Sequence, residues 1–198
     1  MEQERIFQSK DYRKLLSYQR SEVIYLATYC FVERFMNKGD RTCDQMIQAA
    51  RSGKQNIVEG AMASAGSKQS ELFLTSVALA SFHELQEDFL DYLKTRRLEI
   101  WDKDSEKVRY VRNLCRRGET YEVYREFVET RNAEVVANIV VTLIYQVEVL
   151  LSRQIKALEE KFLKEGGVKE KMMKMRLEYR DKSNNNKWRE TLRGIEKS

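Results

Sequence analysis

A chain of 198 residues without proline, with 8 glycines and with abundant Glu, Lys, Arg, Leu and Val, favours long helices over sheets, so we expect an all-α fold with one cored domain and an appendage. The formal net charge of +5 belongs to the C-terminal end, because residues 166–198 carry 10 Lys and Arg against 5 Asp and Glu, while the other 165 residues carry 26 of each sign. Three cysteines, Cys30, Cys43 and Cys115, fit no C-x-x-C spacing, which argues against a disulfide framework and a zinc knuckle and favours buried reduced thiols.

The first predicted helix covers about residues 11–36, where apolar residues recur at helical spacing. Asp11 is a suitable N-cap, and Gly39 suits the end of the helix. Because the connection of residues 37–40 is short, the next helix is expected to run back antiparallel.

The second predicted helix, about residues 41–62, is marked by small residues. Thr42 or Asp40 can cap its N-terminus. Gly53 and Gly60 lie on one face, where each glycine costs about 1 kcal/mol relative to alanine. A neighbouring helix is therefore expected to pack closely on that face.

The third predicted helix covers about residues 69–97 and has a wide apolar face, and Ser67 suits its start. Residues 104–131 then predict two shorter helices, separated near Gly118, which we interpret as an inserted helical hairpin. The arginine face of the first short helix, which includes Arg109 and Arg112, can be neutralised by the glutamates of the second.

The last long helix, about residues 132–163, has apolar residues at near-heptad spacing. With the earlier helices it predicts an antiparallel up-down four-helix bundle over residues 1–163, followed by a basic tail, residues 164–198, that is disordered or folds on a partner. No apolar run reaches the roughly 18 residues of a membrane span, and residues 1–7 hold no signal-peptide core, so we expect a cytoplasmic protein without membrane contact.

Two motifs resemble a known family. They comprise Ser52, the run Asn-Ile-Val-Glu-Gly at residues 56–60, and Ala78, Ser81, Glu84 and Leu85. They resemble the signature of the S23-like family, small bacterial four-helix-bundle proteins first described as open reading frames within intervening sequences of 23S ribosomal RNA genes. The resemblance covers the first half of the chain and resumes weakly near residues 139–158, and the part beyond Leu98 is similar to a suffix region of some members.

The resemblance implies a homo-oligomer, because relatives of this fold assemble into five-membered barrels. One relative is an accessory factor to the reverse transcriptase of diversity-generating retroelements and acts through a basic barrel. In this chain Tyr25, Tyr29, Leu72 and Phe73 fall outside the core stripes and need cover, which agrees with an oligomer. Since residues 1–165 are charge-neutral, the basic tail is the expected contact with nucleic acid.

The single histidine, His83, does not indicate a di-iron site. Such bundles need Glu-x-x-His motifs, and the residue three before His83 is Ala80. One histidine without a nucleophile pattern is more often a structural or surface residue, and we interpret it so.

An acidic cluster on the third helix suggests a second test for enzyme chemistry. Glu84, Glu87, Asp88 and Asp91 share one side, and such clusters bind Mg²⁺ in all-α nucleotide pyrophosphatases, where a pair of glutamates comes from a neighbouring helix. Here only Glu59 is available from the second helix. We therefore favour a solvated acidic face, and predict no catalytic residue, metal or cofactor.

Asn56 and Glu59 belong to the motif that carries the resemblance. Both can point into the bundle and hydrogen-bond across it, which fixes register at little net gain in stability. We interpret them as structural polar positions.

The tail carries the residues most suited to a ligand. Its cations, with two interleaved aromatic residues, can neutralise phosphates and stack on unpaired bases, although a solubilising tail is an equal alternative. The candidate nucleic-acid-binding residues are Lys169, Lys171, Lys174, Arg176, Arg180, Lys182, Lys187, Trp188, Arg189 and Arg193.

Three functions follow as hypotheses. The first is a non-enzymatic oligomeric scaffold that binds RNA, DNA or a nucleic-acid enzyme such as a reverse transcriptase. The second is a protein-interaction module without nucleic acid, whose tail docks through Trp188, Leu192 and Ile195. The third, a Mg²⁺-dependent nucleotide hydrolase, is the least favoured.

Overall fold

The computed structural model describes residues 11–115, 118, 120–165 and 172–182, and no strand occurs among them. The expected all-α class is therefore confirmed for the described part of the chain. The helices are α1 (Leu16–Phe35), α2 (Arg41–Ala63), α3 (Lys68–Thr95), α4 (Glu106–Leu114), α5 (Glu122–Thr130) and α6 (Ala133–Glu165), preceded by a 3-10 turn (Tyr12–Lys14). Residues 172–182 form a further helical stretch.

The start of α1 differs from the predicted start at residue 11. Asp11 is an N-cap, but its carboxylate accepts a hydrogen bond from the Arg13 N–H at 3.3 Å and so caps the 3-10 turn. Leu15 is then extended, with φ −74° and ψ 125°, and α1 begins at Leu16 without a side-chain cap. An N-cap signal identifies a turn of helix but not how long the helix continues.

The next two helices begin where polar caps predict. Of the two candidates for α2, Asp40 is the cap, because its carboxylate accepts from the Thr42 N–H at 2.9 Å. Ser67 caps α3 by accepting from the Ser70 N–H at 3.1 Å. Gly39, with φ +102°, provides the left-handed turn between α1 and α2.

The four long helices enclose one hydrophobic core. The main packing neighbours of α1 are α2 and α6, and those of α3 are also α2 and α6. Fully buried side chains from all four helices meet in this core, among them Ile24, Phe31, Met46, Phe82, Phe89 and Leu143. The short helices extend this core, since Val111 and Leu114 of α4 and Tyr124 and Val128 of α5 are buried in it. Helix α4 packs against α6, and α5 packs against α1 and α6.

Helix α6 is the one described helix that is long and apolar enough to cross a membrane by length and composition, over Ala133–Lys164. Within the fold 61% of its most apolar stretch is buried, as expected for the core helix of a soluble protein. The search for uninterrupted apolar runs in the sequence missed the length and apolar composition of this helix. Polar residues such as Asn138 and Thr142 divide its apolar residues into short runs.

The two predicted short helices are present, and Gly118 between them has φ +141°. Their expected charge pairing is not found among the described residues. Arg125 of α5 instead binds two glutamates of its own helix, Glu122 at 2.7 Å and Glu129 at 3.5 Å. A partner one helical turn away is always within reach, so local pairs compete with pairs between helices.

The three cysteines are free and half-buried rather than buried. The Cys115 Sγ lies 3.1 Å from the Tyr124 hydroxyl and 3.1 Å from the Gln146 Oε1, which ties the end of α4 to α5 and α6. Burial raises the pKa of the Cys43 thiol. All three thiols pack against the hydrophobic core.

Candidate functional site

The predicted basic site is described in part. Lys174, Arg176, Arg180 and Lys182 lie on the helical stretch 172–182, and all four are exposed. The remaining candidates, Lys169, Lys171, Lys187, Trp188, Arg189 and Arg193, lie outside the described residues. The structure therefore describes four of the ten predicted contacts on one helix.

This helical stretch presents cations and apolar groups together. Arg176 and Arg180 are one turn apart and share a side of the helix. Its large apolar side chains are uncovered: Met172 is 55% exposed, Met173 66%, Met175 47%, Leu177 47% and Tyr179 75%. With only Glu178 and Asp181 opposing four Lys and Arg, the stretch can attract an anionic partner and offer it apolar contacts.

The acidic cluster of α3 is mostly a solvated face. Glu84, Glu87 and Asp91 are exposed, whereas Asp88 is half-buried. Burial, and then the nearby charges of Glu84 and Asp91, raise the pKa of Asp88 to about 6. Among the described residues no group of three or more His, Cys, Asp or Glu is placed to hold a metal ion. Glu59 is exposed on α2 and brings no further described ligand to this cluster.

We expect Asp88→Asn to raise the free energy of unfolding at pH 8 by about 1 kcal/mol, a value reduced for the partial exposure of the carboxylate. The folded-state pKa of about 6 exceeds the ordinary value of 3.8, so the folded state binds this proton more tightly. Asp88 then contributes stability that is complete below about pH 4 and is lost as the pH rises through 6. The gain in the variant should accordingly disappear near pH 4, as measured by urea unfolding at both pH values.

The exposed neighbour Asp91 provides the control, since Asp91→Asn should change the free energy of unfolding by less than half as much. Equal effects of the two substitutions, or no gain at pH 8, would show that burial of Asp88 carries no energetic cost.

His83 connects two helices. Its Nδ1 lies 2.9 Å from the Glu148 Oε1, so α3 and α6 are bridged by an ion pair when the imidazole is protonated. Burial raises the pKa of Glu148, and the charge of His83 opposes that effect. The contact agrees with a structural role at the surface.

The two polar residues of the resemblance motif behave differently. Asn56 donates to the Ser52 carbonyl at 2.9 Å and to the Ser52 hydroxyl at 3.2 Å, and that hydroxyl also accepts from Ser81 of α3 at 3.2 Å. Asn56 therefore bonds within α2, and the bond that crosses to α3 is made by Ser52, so the expected bond from Asn56 across the bundle is not found among the described residues. Glu59 is exposed, so the expectation that it points into the bundle is wrong. Its position follows from the helical period, which places Ile57 and Gly60 on the buried side.

A cleft of about 840 Å³, absent from the sequence predictions, lies beside the connection between α3 and α4. Its walls come from α1, α3, α4, α6 and residues 100–103. Apolar side chains form much of the lining: Leu90, Ile100, Trp101, Val108, Val141, Tyr145 and Val149. The charged side chains of the lining are Arg20, Asp102, Lys103, Arg112 and Glu148.

The wall of this cleft is held in place by hydrogen bonds. The Asn138 side chain accepts from the Trp101 backbone N–H at 2.9 Å and donates to the Glu99 carbonyl at 2.8 Å, which fixes the connecting segment on α6. On the opposite side Arg20, only 6% exposed, donates to the Gln146 Oε1 at 2.6 Å. The indole Nε1–H of Trp101 is buried and has no acceptor among the described residues.

One sequence signal points to the cleft. Arg20 precedes Val23, Ile24 and Ala27 at helical spacing, so a cation occupies the core-facing side of α1. A buried arginine is rare without polar partners, and such a position indicates a polar site within a packed interface.

Comparison of the chain with protein-family models, with curated proteins and with solved structures finds no match. The resemblance to the S23-like family therefore stays a prediction that depends on the quoted motifs.

Proposed function

We propose that this protein is a non-enzymatic, oligomeric four-helix-bundle scaffold that binds single-stranded nucleic acid through its basic C-terminal segment. The observation that carries the proposal is the exposure of every residue in the helical stretch 172–182, where four cations accompany uncovered apolar side chains. A helix that buries none of its residues against the core is available to an external partner.

The bundle consists of α1, α2, α3 and α6, and contacts between early and late residues support its antiparallel order. Ser17 at the start of α1 bonds Gln154 near the end of α6 at 3.4 Å, whereas Arg34 at the end of α1 donates to the Arg131 carbonyl just before α6 at 3.0 Å. Helices α2 and α3 are related in the same way, since Gly60 faces Leu74 near the start of α3. The helical hairpin of α4 and α5 is an insertion on this bundle.

Binding of nucleic acid would use two kinds of contact. The four described cations neutralise phosphates and release their counterions, which makes affinity fall steeply as salt is added. Tyr179, 75% exposed, offers a ring on which an unpaired base can stack. Neither contact reads sequence, so we propose binding with little base preference.

Oligomer formation is part of the proposal. Tyr29 and Phe73 are 45% and 66% exposed, and contact between copies would cover them. Tyr25 and Leu72, the other two residues expected to need cover, are half-buried within the chain itself. By resemblance we propose five copies, a cytoplasmic location, and a nucleic-acid enzyme such as a reverse transcriptase as the protein partner.

A protein-interaction module without nucleic acid is the second candidate. The uncovered methionines and leucine of residues 172–182 favour it, because methionine is common on surfaces that adapt to a partner helix. Apolar docking of this kind depends little on salt, which distinguishes it from the first proposal.

Replacing Lys174, Arg176, Arg180 and Lys182 together by glutamine is expected to weaken binding of single-stranded RNA and DNA roughly 100-fold or more at low salt. The slope of log affinity against log salt should become shallower by about 3, since each phosphate contact on a single strand contributes about 0.7. Fluorescence anisotropy with labelled oligonucleotides at several salt concentrations measures both quantities.

The matched control replaces four exposed cations elsewhere, Lys38, Arg41, Arg51 and Arg109, by glutamine, and should retain most of the affinity. If the unaltered chain does not bind either nucleic acid at low salt, the first proposal fails. If both quadruple variants lose affinity equally, net charge rather than the C-terminal segment carries the binding.

A further inference from the structure

We propose that the cleft beside Trp101 binds a small amphipathic anion, a molecule with an apolar body the size of one or two rings and a single anionic group. The proposal is independent of the nucleic-acid site, which lies on a different segment of the chain. It depends on the size, lining and charge of the cleft.

The size suits a small organic ligand. Pockets for such ligands enclose about 300 to 1,000 Å³, and this cleft measures about 840 Å³. Helices α3 and α6 form its floor, where Val141 is buried and Leu90 is half-buried. The segment that forms one wall is fixed by Asn138, so the cleft is formed before any ligand arrives.

Apolar side chains line both the floor of the cleft and its opening. Thr142 on the floor donates to the Asn138 carbonyl at 2.8 Å, so its hydroxyl is satisfied within α6 and does not require a ligand. At the mouth Ile100, Tyr145 and Val149 are 43%, 48% and 50% exposed. An apolar ligand would remove the exposed surface of these three side chains from water, which favours its binding.

The cations of the cleft select an anionic group on that occupant. Arg20 is buried in the wall and oriented by Gln146, while Lys103 and Arg112 are exposed at the rim. Arg112 has no ion-pair partner within residues 11–115, 118, 120–165 and 172–182. A guanidinium beside an apolar surface is well suited to a carboxylate, sulfonate or phosphate.

The acids of the cleft oppose the rim cations Lys103 and Arg112 only in part. Asp102 is exposed to solvent at the rim, where its charge is screened. Glu148 is bridged to His83 on α3, and burial raises the pKa of its carboxyl group. At the rim the two exposed cations, Lys103 and Arg112, outnumber the exposed acid Asp102, so the rim carries a net positive charge.

The test uses two dyes that share a skeleton and differ in charge. 8-Anilino-1-naphthalenesulfonate carries a sulfonate, and N-phenyl-1-naphthylamine has the same rings without it. Fluorescence titration uses the full chain and the full chain in which Lys174, Arg176, Arg180 and Lys182 are replaced by glutamine, because the exposed stretch 172–182 can also attract an anionic dye. Both should show a saturable site for the sulfonate, about 10-fold tighter than for the neutral dye, as expected for one charge-assisted contact. Equal affinities for the two dyes, loss of the sulfonate site in the quadruple variant, or no saturable binding because another copy fills the cleft would overturn the proposal.

Two rim substitutions locate the site. Arg112→Gln should weaken the sulfonate about 5-fold to 10-fold and leave the neutral dye unchanged, whereas Arg109→Gln, exposed on the same helix but outside the lining, should change neither. Val149→Glu, at a half-exposed position, should weaken the sulfonate more than the neutral dye by adding a negative charge at the mouth. If Arg109→Gln and Arg112→Gln have equal effects, or if Arg112→Gln alters the oligomeric state, the cleft is not a small-molecule site.

Discussion

Replacing Phe31 by alanine is expected to lower the free energy of unfolding by about 3 to 5 kcal/mol, the range for a buried aromatic residue whose removal leaves a cavity. Phe31 is 0% exposed in α1. Its ring contacts Phe89 and Tyr92 of α3 edge to face, with centroids 4.9 and 4.8 Å away, and lies 5.3 Å from the ring of Phe35. Aromatic pairs of this geometry add to the hydrophobic gain from burial.

Urea unfolding followed by circular dichroism measures the loss. Leu163→Ala removes a large apolar side chain that is 82% exposed near the end of α6, and should change the free energy of unfolding by less than about 0.5 kcal/mol. A loss below about 1.5 kcal/mol for Phe31→Ala would mean that α1 and α3 are not joined by this aromatic cluster.

Much of the helical framework is readable from local signals. Asp40 and Ser67 cap α2 and α3 because a short polar side chain can satisfy the free N–H groups of a first turn, and this chemistry requires no tertiary contact. The near-heptad apolar pattern likewise predicts α6, whose apolar side chains fill the core. The four-helix arrangement itself depends on which faces meet, so it stays a proposal.

The start of α1 and the side chain of Glu59 were not predictable in the same way. Asp11 has the right chemistry for a cap, but the extended backbone of Leu15 ends the first turn after three residues. The orientation of Glu59 depends on which face of α2 is buried, and a polar residue beside glycine gives an ambiguous signal. Both differences arise from packing rather than from local propensity.

The two candidate sites also differ in how far the sequence alone predicts them. The basic segment is a property of composition, so Lys174 and Arg180 could be selected as contacts without knowledge of the fold. The cleft combines Arg20, Trp101 and Arg112, which are far apart in sequence and meet only when α1, α4 and α6 are packed. In the sequence, only the core-facing position of Arg20 indicates the cleft.

The small-residue face of α2 leads to a second large expected effect, because its two glycines are not equivalent. A Cβ built on Gly53 would lie 2.7 Å from the Cζ and 2.8 Å from the Cε2 of Phe82, whose ring is 0% exposed. A Cβ on Gly60 would meet the Leu74 Cβ at 3.4 Å, which is an ordinary contact. A close approach of α3 was expected at both glycines, but α3 leaves room for a Cβ at residue 60 and not at residue 53.

We expect Gly53→Leu to lower the free energy of unfolding by about 3 kcal/mol or more, and Gly53→Ala to lower it by about 1 kcal/mol after the gain in helix propensity is included. Gly60→Ala should instead be neutral or stabilising by up to about 1 kcal/mol, since it gains propensity without a clash. Thermal and urea unfolding of the three variants measure the differences.

A double-mutant cycle identifies the cause. Phe82→Leu shortens the side chain that opposes Gly53 and should itself be destabilising, but Gly53→Ala should cost less in that background than in the unaltered chain. The difference between the two costs is the coupling between the added methyl group and the ring. If Gly53→Ala and Gly60→Ala have equal effects, or if the cycle shows no coupling, the ring of Phe82 does not determine the spacing of α2 and α3. Coupling of about 0.5 to 2 kcal/mol would instead explain why residue 53 must be glycine: it allows a bulky α3 to approach α2 closely enough for Ser52 and Ser81 to bond.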